Sequence, residues 1–246
     1  MSVISGKMIA AAAALRDTVE RLSFSAPVSH TYNPLEYAWA AHELYLQKFA
    51  TTRKRIVFLG MNPGPFGMAQ TGVPFGEVTA VRDWMGLRAQ VRKPAREHPK
   101  RLVEGFDCPR REVSGERLWG LFSQRFGMPE NFFREHFVVN YCPLAFLSAT
   151  GSNLTPDKLP ARETAPLFAA CDEHLRRVME ILRPEWLIGV GAFAHGKLAA
   201  LVENQSTPRL AQILHPSPAS PAANRGWAAA ATRQLQQCGA WPAVEG

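Results

Sequence analysis

Four short apolar runs, at residues 55–60, 137–141, 185–191 and 211–215, are separated by longer stretches whose apolar positions recur every three or four residues. The first run, RIVFLG, places β-branched and aromatic residues in succession without polar alternation, as in a strand covered on both faces. The longer stretches predict helices over about residues 8–24, 34–50, 117–126, 162–182, 192–203 and 227–238. Leu15, Val19 and Leu22 share a face of the first helix, and Leu35, Trp39 and Leu46 a face of the second. Leu118, Leu121, Phe122 and Phe126 face inward from the third. Asn33-Pro34 is a start signal, with Asn33 as cap and Pro34 at the first helical position. Pro166 is expected to break the fourth helix near its start, and residues 88–115, polar and interrupted by prolines, read as irregular surface. Strands alternating with helices predict an α/β fold with a parallel sheet and helices on both faces.

A parallel sheet carries its ligands beyond the carboxyl ends of its strands. Asn62, Asn140 and His215 each fall at or just past the end of a different predicted strand, so the fold brings them to one edge. Taken singly, Asn62 also reads as a turn residue before proline, Asn140 as a strand-end cap and His215 as a satisfied core histidine. Three unlinked polar residues at one edge call for a common reason. The first strand leads into residues 60–76, where Gly64, Gly67, Gly72 and Gly76 permit close backbone approach and Pro63, Pro65 and Pro74 restrict the chain. Ordering such a loop around a small planar ligand costs less entropy. Phe75 has two readings, a core anchor and an aromatic that stacks on a flat ring. Met61 and Met68 suit either environment. Residues 216–226, PSPASPAANRG, form a stiff small-residued connection that reads as ordinary surface or as a wedge for a base stack whose amides approach phosphates.

Composition narrows the partners. At 246 residues the chain suits one domain spanning residues 1–246, with N-terminal helices over about 8–50. Lys plus Arg numbers 28 against 21 acids, a net charge of +7 with an arginine-rich stretch from Arg82 to Arg117, which favours an anionic partner without requiring one. Cys108, Cys142, Cys171 and Cys238 are scattered, with no CxxC pair and no His at metal-ligand spacing, so four free thiols and no metal site are expected. Neither the apolar run at residues 8–15 nor any other is long enough to span a bilayer. A soluble intracellular protein is expected, cytoplasmic and nucleoid-associated if bacterial, nuclear if eukaryotic.

Residues 189–194, GVGAFA, fit the G-x-G-x-x-A dinucleotide fingerprint. That fingerprint belongs to the first strand, with an acid closing the next, whereas here it closes the third and the fourth ends in His215. A tight strand-to-helix turn is the better reading.

These motifs resemble those of the single-strand-selective monofunctional uracil-DNA glycosylases, a branch of the uracil-DNA glycosylase superfamily. The resemblance runs from Tyr32 to Trp227 and rests on GMNPGPFGMAQTGVPFGEV (60–78) and HPSPASPAANRGW (215–227), with VNYCPLAFL (139–147) and NLTPDKLP (153–160) between them. It implies a three-layer α/β/α sandwich around a four-stranded parallel sheet. It implies that Asn62 positions the attacking water, that His215 stabilises the departing base and that Asn140 reads uracil. Phe75 corresponds to the stacking aromatic, and Gly64 and Met68 to the wall near uracil C5; Met61, in the same loop, is a further candidate substrate contact. Ser217, Pro218, Ala219, Asn224 and Arg225 of the stiff connection are the candidate DNA contacts. The implied activity is hydrolytic removal of uracil and 5-substituted uracils such as 5-hydroxymethyluracil from single- and double-stranded DNA, leaving an abasic site; a monomer is expected, and the cysteine spacing implies no metal or other cofactor. One position departs. Relatives often carry arginine or another long side chain immediately after HPSP, where this chain has Ala219, so the wedge is expected to be blunt and action on fully paired duplex weakened, with Arg225 as compensation. A glycosylase biased toward deaminated purines such as xanthine and hypoxanthine, and a non-catalytic damaged-DNA binder, are the alternative readings.

Overall fold

The computed structural model describes residues 1–203 and 208–243. Its strands in chain order are β1 (His30–Tyr32), β2 (Ile56–Gly60), β3 (His136–Asn140), β4 (Ala145–Leu147), β5 (Asn153–Leu154), β6 (Trp186–Val190) and β7 (Arg209–Ile213). The four apolar runs form one parallel sheet in the order β3-β2-β6-β7, flanked by helices in an α/β/α arrangement. Every residue of β2, β3 and β6 is buried, which explains their unbroken apolar sequences. The edge strand β7 buries only Ile213. Among the described residues no helix is long and apolar enough to cross a membrane.

Several boundaries differ from the sequence reading. The first helix is Val3–Val19, shifted five residues toward the N-terminus from the expected 8–24 and started by Ser2, whose hydroxyl accepts from the Ser5 amide. The second predicted helix is two, Pro34–Tyr37 and Trp39–Phe49, because Ala38 leaves helical geometry at φ −107°, ψ 23°. Pro34 does open it. Asn33 does not cap it: its Oδ1 has no hydrogen-bond partner among the described residues, while its amide nitrogen donates to Arg16 O and to Glu20 Oε2 at the end of the first helix. Pro166 leaves Ala161–Leu182 continuous, since it lies on the exposed side near the start, where water can satisfy the freed Arg162 carbonyl. Residues 88–112 lack long regular elements as expected, but the third predicted helix starts at Val113 rather than 117, and His98, Val103, Phe106 and Cys108 are buried, so the segment is a packed covering. The antiparallel sheet β1-β4-β5 has no counterpart in the sequence reading, since strands of two or three residues are too short to show a period. All four cysteines are free.

Parallel pairing sets the functional edge. Gly60 at the end of β2 is the register partner of Asn140 at the end of β3, and Val190 of β6 partners Ile213 of β7. Asn62 and His215 each lie two residues beyond their strands, so β7 stops short of the histidine that was assigned to it.

Candidate active site

A cleft of about 350 Å³ opens at that edge, within the size range of small-molecule sites. Asn62, Asn140 and His215 line it together with Met61, Gly64, Met68, Phe75 and Ser217. Seven predicted catalytic and base-contacting residues thus converge, and Ser217 of the stiff connection joins them.

Each side chain is oriented by a specific neighbour. The Asn62 amide nitrogen donates to Leu144 O at 3.2 Å, which leaves Oδ1 to accept from a group in the cleft. His215 Nδ1 accepts from the Ser217 amide at 3.1 Å, so in the neutral ring Nε2 carries the proton. Burial holds the His215 pKa below its ordinary value, which favours that neutral ring. Asn140 Nδ2 faces Met68 Sδ at 3.3 Å, while its buried Oδ1 has no hydrogen-bond partner among the described residues.

Phe75 has left-handed backbone at φ 53°, which costs a non-glycine residue roughly 1–2 kcal/mol. Its carbonyl is held by the Glu77 amide at 2.7 Å and by Trp119 Nε1 at 3.1 Å. A side chain on Gly115 would overlap that carbonyl, so this glycine lets the helix Val113–Phe126 press against the loop. The loop itself contains the short helix Met68–Thr71 and is tied down by buried Gln70, which donates to Pro65 O and Leu102 O and accepts from the amides of Glu104 and Gly105. Two arginines of the 88–115 segment cover its outer turn, the Arg101 and Arg110 guanidiniums lying 5.4 and 5.3 Å from the Phe66 ring.

Residues 216–226 fold into a turn and the short helix Pro221–Asn224, capped by Ser220. Pro218 and Ala219 are its exposed tip. Asn224 serves the loop itself, donating to Pro218 O at 2.9 Å and accepting from Arg117 Nη2 at 2.9 Å. Arg117 also donates to Pro216 O, clamping the segment to the helix Val113–Phe126. Arg225 is exposed beyond that short helix and does not line the cleft.

Residues 47–236 match the uracil DNA glycosylase superfamily. The chain belongs to that superfamily. Within it, the single-strand selective monofunctional uracil DNA glycosylases of Bos taurus and Rattus norvegicus are each 48% identical over 229 residues, 93% of this chain and 84% and 82% of theirs. The crystal structure of wild-type SMUG2 from Pedobacter heparinus shares the fold, with a TM-score of 0.65 over 92% of this chain and 96% of its own, at 19% identity. The α/β/α sandwich expected of a uracil-DNA glycosylase is therefore the fold observed, and the family is one of hydrolases acting on N-glycosyl bonds.

In this glycosylase fold the dinucleotide-like segment is a packing device. A side chain on Gly189 would overlap the backbone of His195, and one on Gly191, at φ 89°, would press on His215 Cβ at 3.0 Å. The sequence reading missed Glu112, Ser114, Asn153 and Thr155, which also line the cleft, and the clamp Arg117. Asn153 and Thr155 stood in a quoted motif, and Arg117 in the arginine-rich stretch. Glu112 carried no local signal.

Proposed function

We propose that the protein hydrolyses the N-glycosidic bond of uracil, and of 5-substituted uracils such as 5-hydroxymethyluracil, in single- and double-stranded DNA, leaving an abasic site. The observation that carries this reading is Asn140 Oδ1, a buried acceptor without a partner among the described residues in a cleft that has Nδ2 beside it. Uracil supplies the matching edge, with N3–H for Oδ1 and O4 for Nδ2, whereas cytosine presents the opposite pattern. A mismatch there leaves buried polar groups unpaired at about 1–3 kcal/mol each.

A base in duplex must leave the stack to reach such a cleft, which is easiest at a mismatch or in a single strand. Breaking the glycosidic bond builds positive charge on the sugar and negative charge on uracil O2. His215 Nε2–H serves as the donor to that oxygen, and the neutral ring suits a hydrogen-bonding rather than a proton-transferring role. Asn62 is not basic, and its Oδ1, fixed by the bond to Leu144 O, orients the water that attacks the oxocarbenium-like sugar. Among the described residues lining the cleft there is no lysine, which supports hydrolysis by water without a Schiff base or strand cleavage.

The deciding experiment is base release from oligonucleotides bearing uracil, 5-hydroxymethyluracil, xanthine or hypoxanthine, single-stranded and paired. Multiple-turnover release of uracil is expected, with nothing trapped by borohydride. Release of a purine alone would overturn the reading, and binding without turnover would mark a non-catalytic binder.

A further inference from the structure

Glu112 is anomalous in this setting, because a carboxylate facing a cleft that takes DNA repels the phosphates around it. It caps the helix Val113–Phe126, with Oε2 accepting from the Gly115 amide at 2.6 Å and Oε1 from the Ser114 amide at a longer 3.2 Å. A shorter Ser, Asp or Asn would cap as well. The longer side chain carries the carboxylate out to the glycine loop: Oε1 lies 3.7 Å from where a Gly64 Cβ would be, and Cγ lies 3.0 Å from a Gly67 Cβ. The glycines admit it.

The position of this carboxylate relative to a bound base follows from the ring order of uracil. With N3–H on Asn140 Oδ1 and O4 on Nδ2, the next ring atom beyond O4 is C5. Nδ2 is backed by Met68, which follows Gly67 directly, so the C5 side of the base meets the 64–68 backbone and the carboxylate packed on it. We infer that Glu112 determines specificity at C5, its Oε1 accepting a hydrogen bond from the hydroxyl of a 5-hydroxymethyl group, so that donor-bearing substituents are preferred over acceptor-only ones. Desolvation raises the Glu112 pKa while the Gly115 and Ser114 amides oppose the rise, an environment in which the oxygen gains from a donor arriving with the substrate. The inference rests on the base pose proposed above.

Glu112→Gln tests it, because the isosteric amide can keep its oxygen on the Gly115 amide, giving up only the longer bond from Ser114, and turn an N–H₂ toward the cleft. Single-turnover release is measured on single-stranded oligonucleotides bearing uracil, 5-hydroxymethyluracil or 5-formyluracil, whose formyl group only accepts. The ratio of 5-hydroxymethyluracil to uracil is expected to fall about tenfold, the effect of one lost hydrogen bond to a charged acceptor. The ratio of 5-formyluracil to uracil is expected to hold or rise. Glu112→Asp, which caps the helix but withdraws the carboxylate, should lose the same preference. An equal fall on all three bases in both variants would make Glu112 only a structural cap and overturn the inference, as would unchanged ratios or a wild type that releases uracil but not 5-hydroxymethyluracil. A wild type that releases none of the three would overturn the function itself.

Discussion

Gly60 and Asn140 are register partners on adjacent parallel strands, and the Asn140 carboxamide oxygen occupies the place where a side chain on Gly60 would stand. The same space is shared by the edge of the Phe75 ring. A glycine that closes a buried strand thus makes room for both the hydrogen-bonding and the stacking partner of a flat base. Gly60→Ala is expected to displace both groups and to lower uracil release about 10²-fold, the cost of a misplacement near 1 Å. Single-turnover kinetics beside a thermal melt would check it, and a near wild-type rate would show that the cleft tolerates the methyl.

His215 and Asn62 act on opposite sides of the scissile bond in the proposed mechanism. His215→Leu removes a transition-state donor and should lower single-turnover release about 10²- to 10³-fold. Asn62→Ala should also lower it strongly, because the water loses its acceptor. Binding to uracil-containing DNA, measured by fluorescence anisotropy, should change little in either variant. Near wild-type release by both would sink the assignment.

Gly64 places no side chain at the C5 wall, and a Cβ there would find ordinary contact distances of 3.7 to 3.9 Å to Glu112. Gly64→Tyr is therefore expected to fold and to fill the space beside C5. It should suppress 5-hydroxymethyluracil release more than uracil release. An equal loss on both substrates would contradict this account of the wall.

Stability should fall on mild acidification. Burial lowers the pKa of His42 and of His136 from 6.5 to about 4. His136 Nε2 accepts from Trp241 Nε1 at 3.1 Å, a bond that protonation destroys. Between pH 6.5 and 4 the unfolded chain binds more protons than the native one, so stability is full above pH 6.5 and declines as pH falls toward 4. Each group contributes at most about 3 kcal/mol over that window. Urea midpoints at pH 7 and 4.5 would measure the decline, and His42→Gln should make it shallower. A midpoint unchanged between the two pH values would show that these imidazoles are not held neutral.

The sequence by itself determined the four parallel strands, the loop after the first and the meeting of Asn62, Asn140 and His215 at one edge. Continuous apolar runs declare buried strands, and parallel pairing then places all their carboxyl ends together, so residues far apart in sequence become neighbours without any contact being known. What only the tertiary structure decided are the partners that orient those residues. Asn62 takes its orientation from Leu144, 82 residues away, and Arg117 clamps Asn224 across 107 residues. The role of Gly60, the left-handed backbone of Phe75 under Trp119 and the presence of Glu112 in the cleft belong to the same class. Propensity and periodicity act along a few neighbouring residues, whereas a hydrogen bond or a steric exclusion depends on which surfaces the fold brings within a few ångströms, and no local pattern records that.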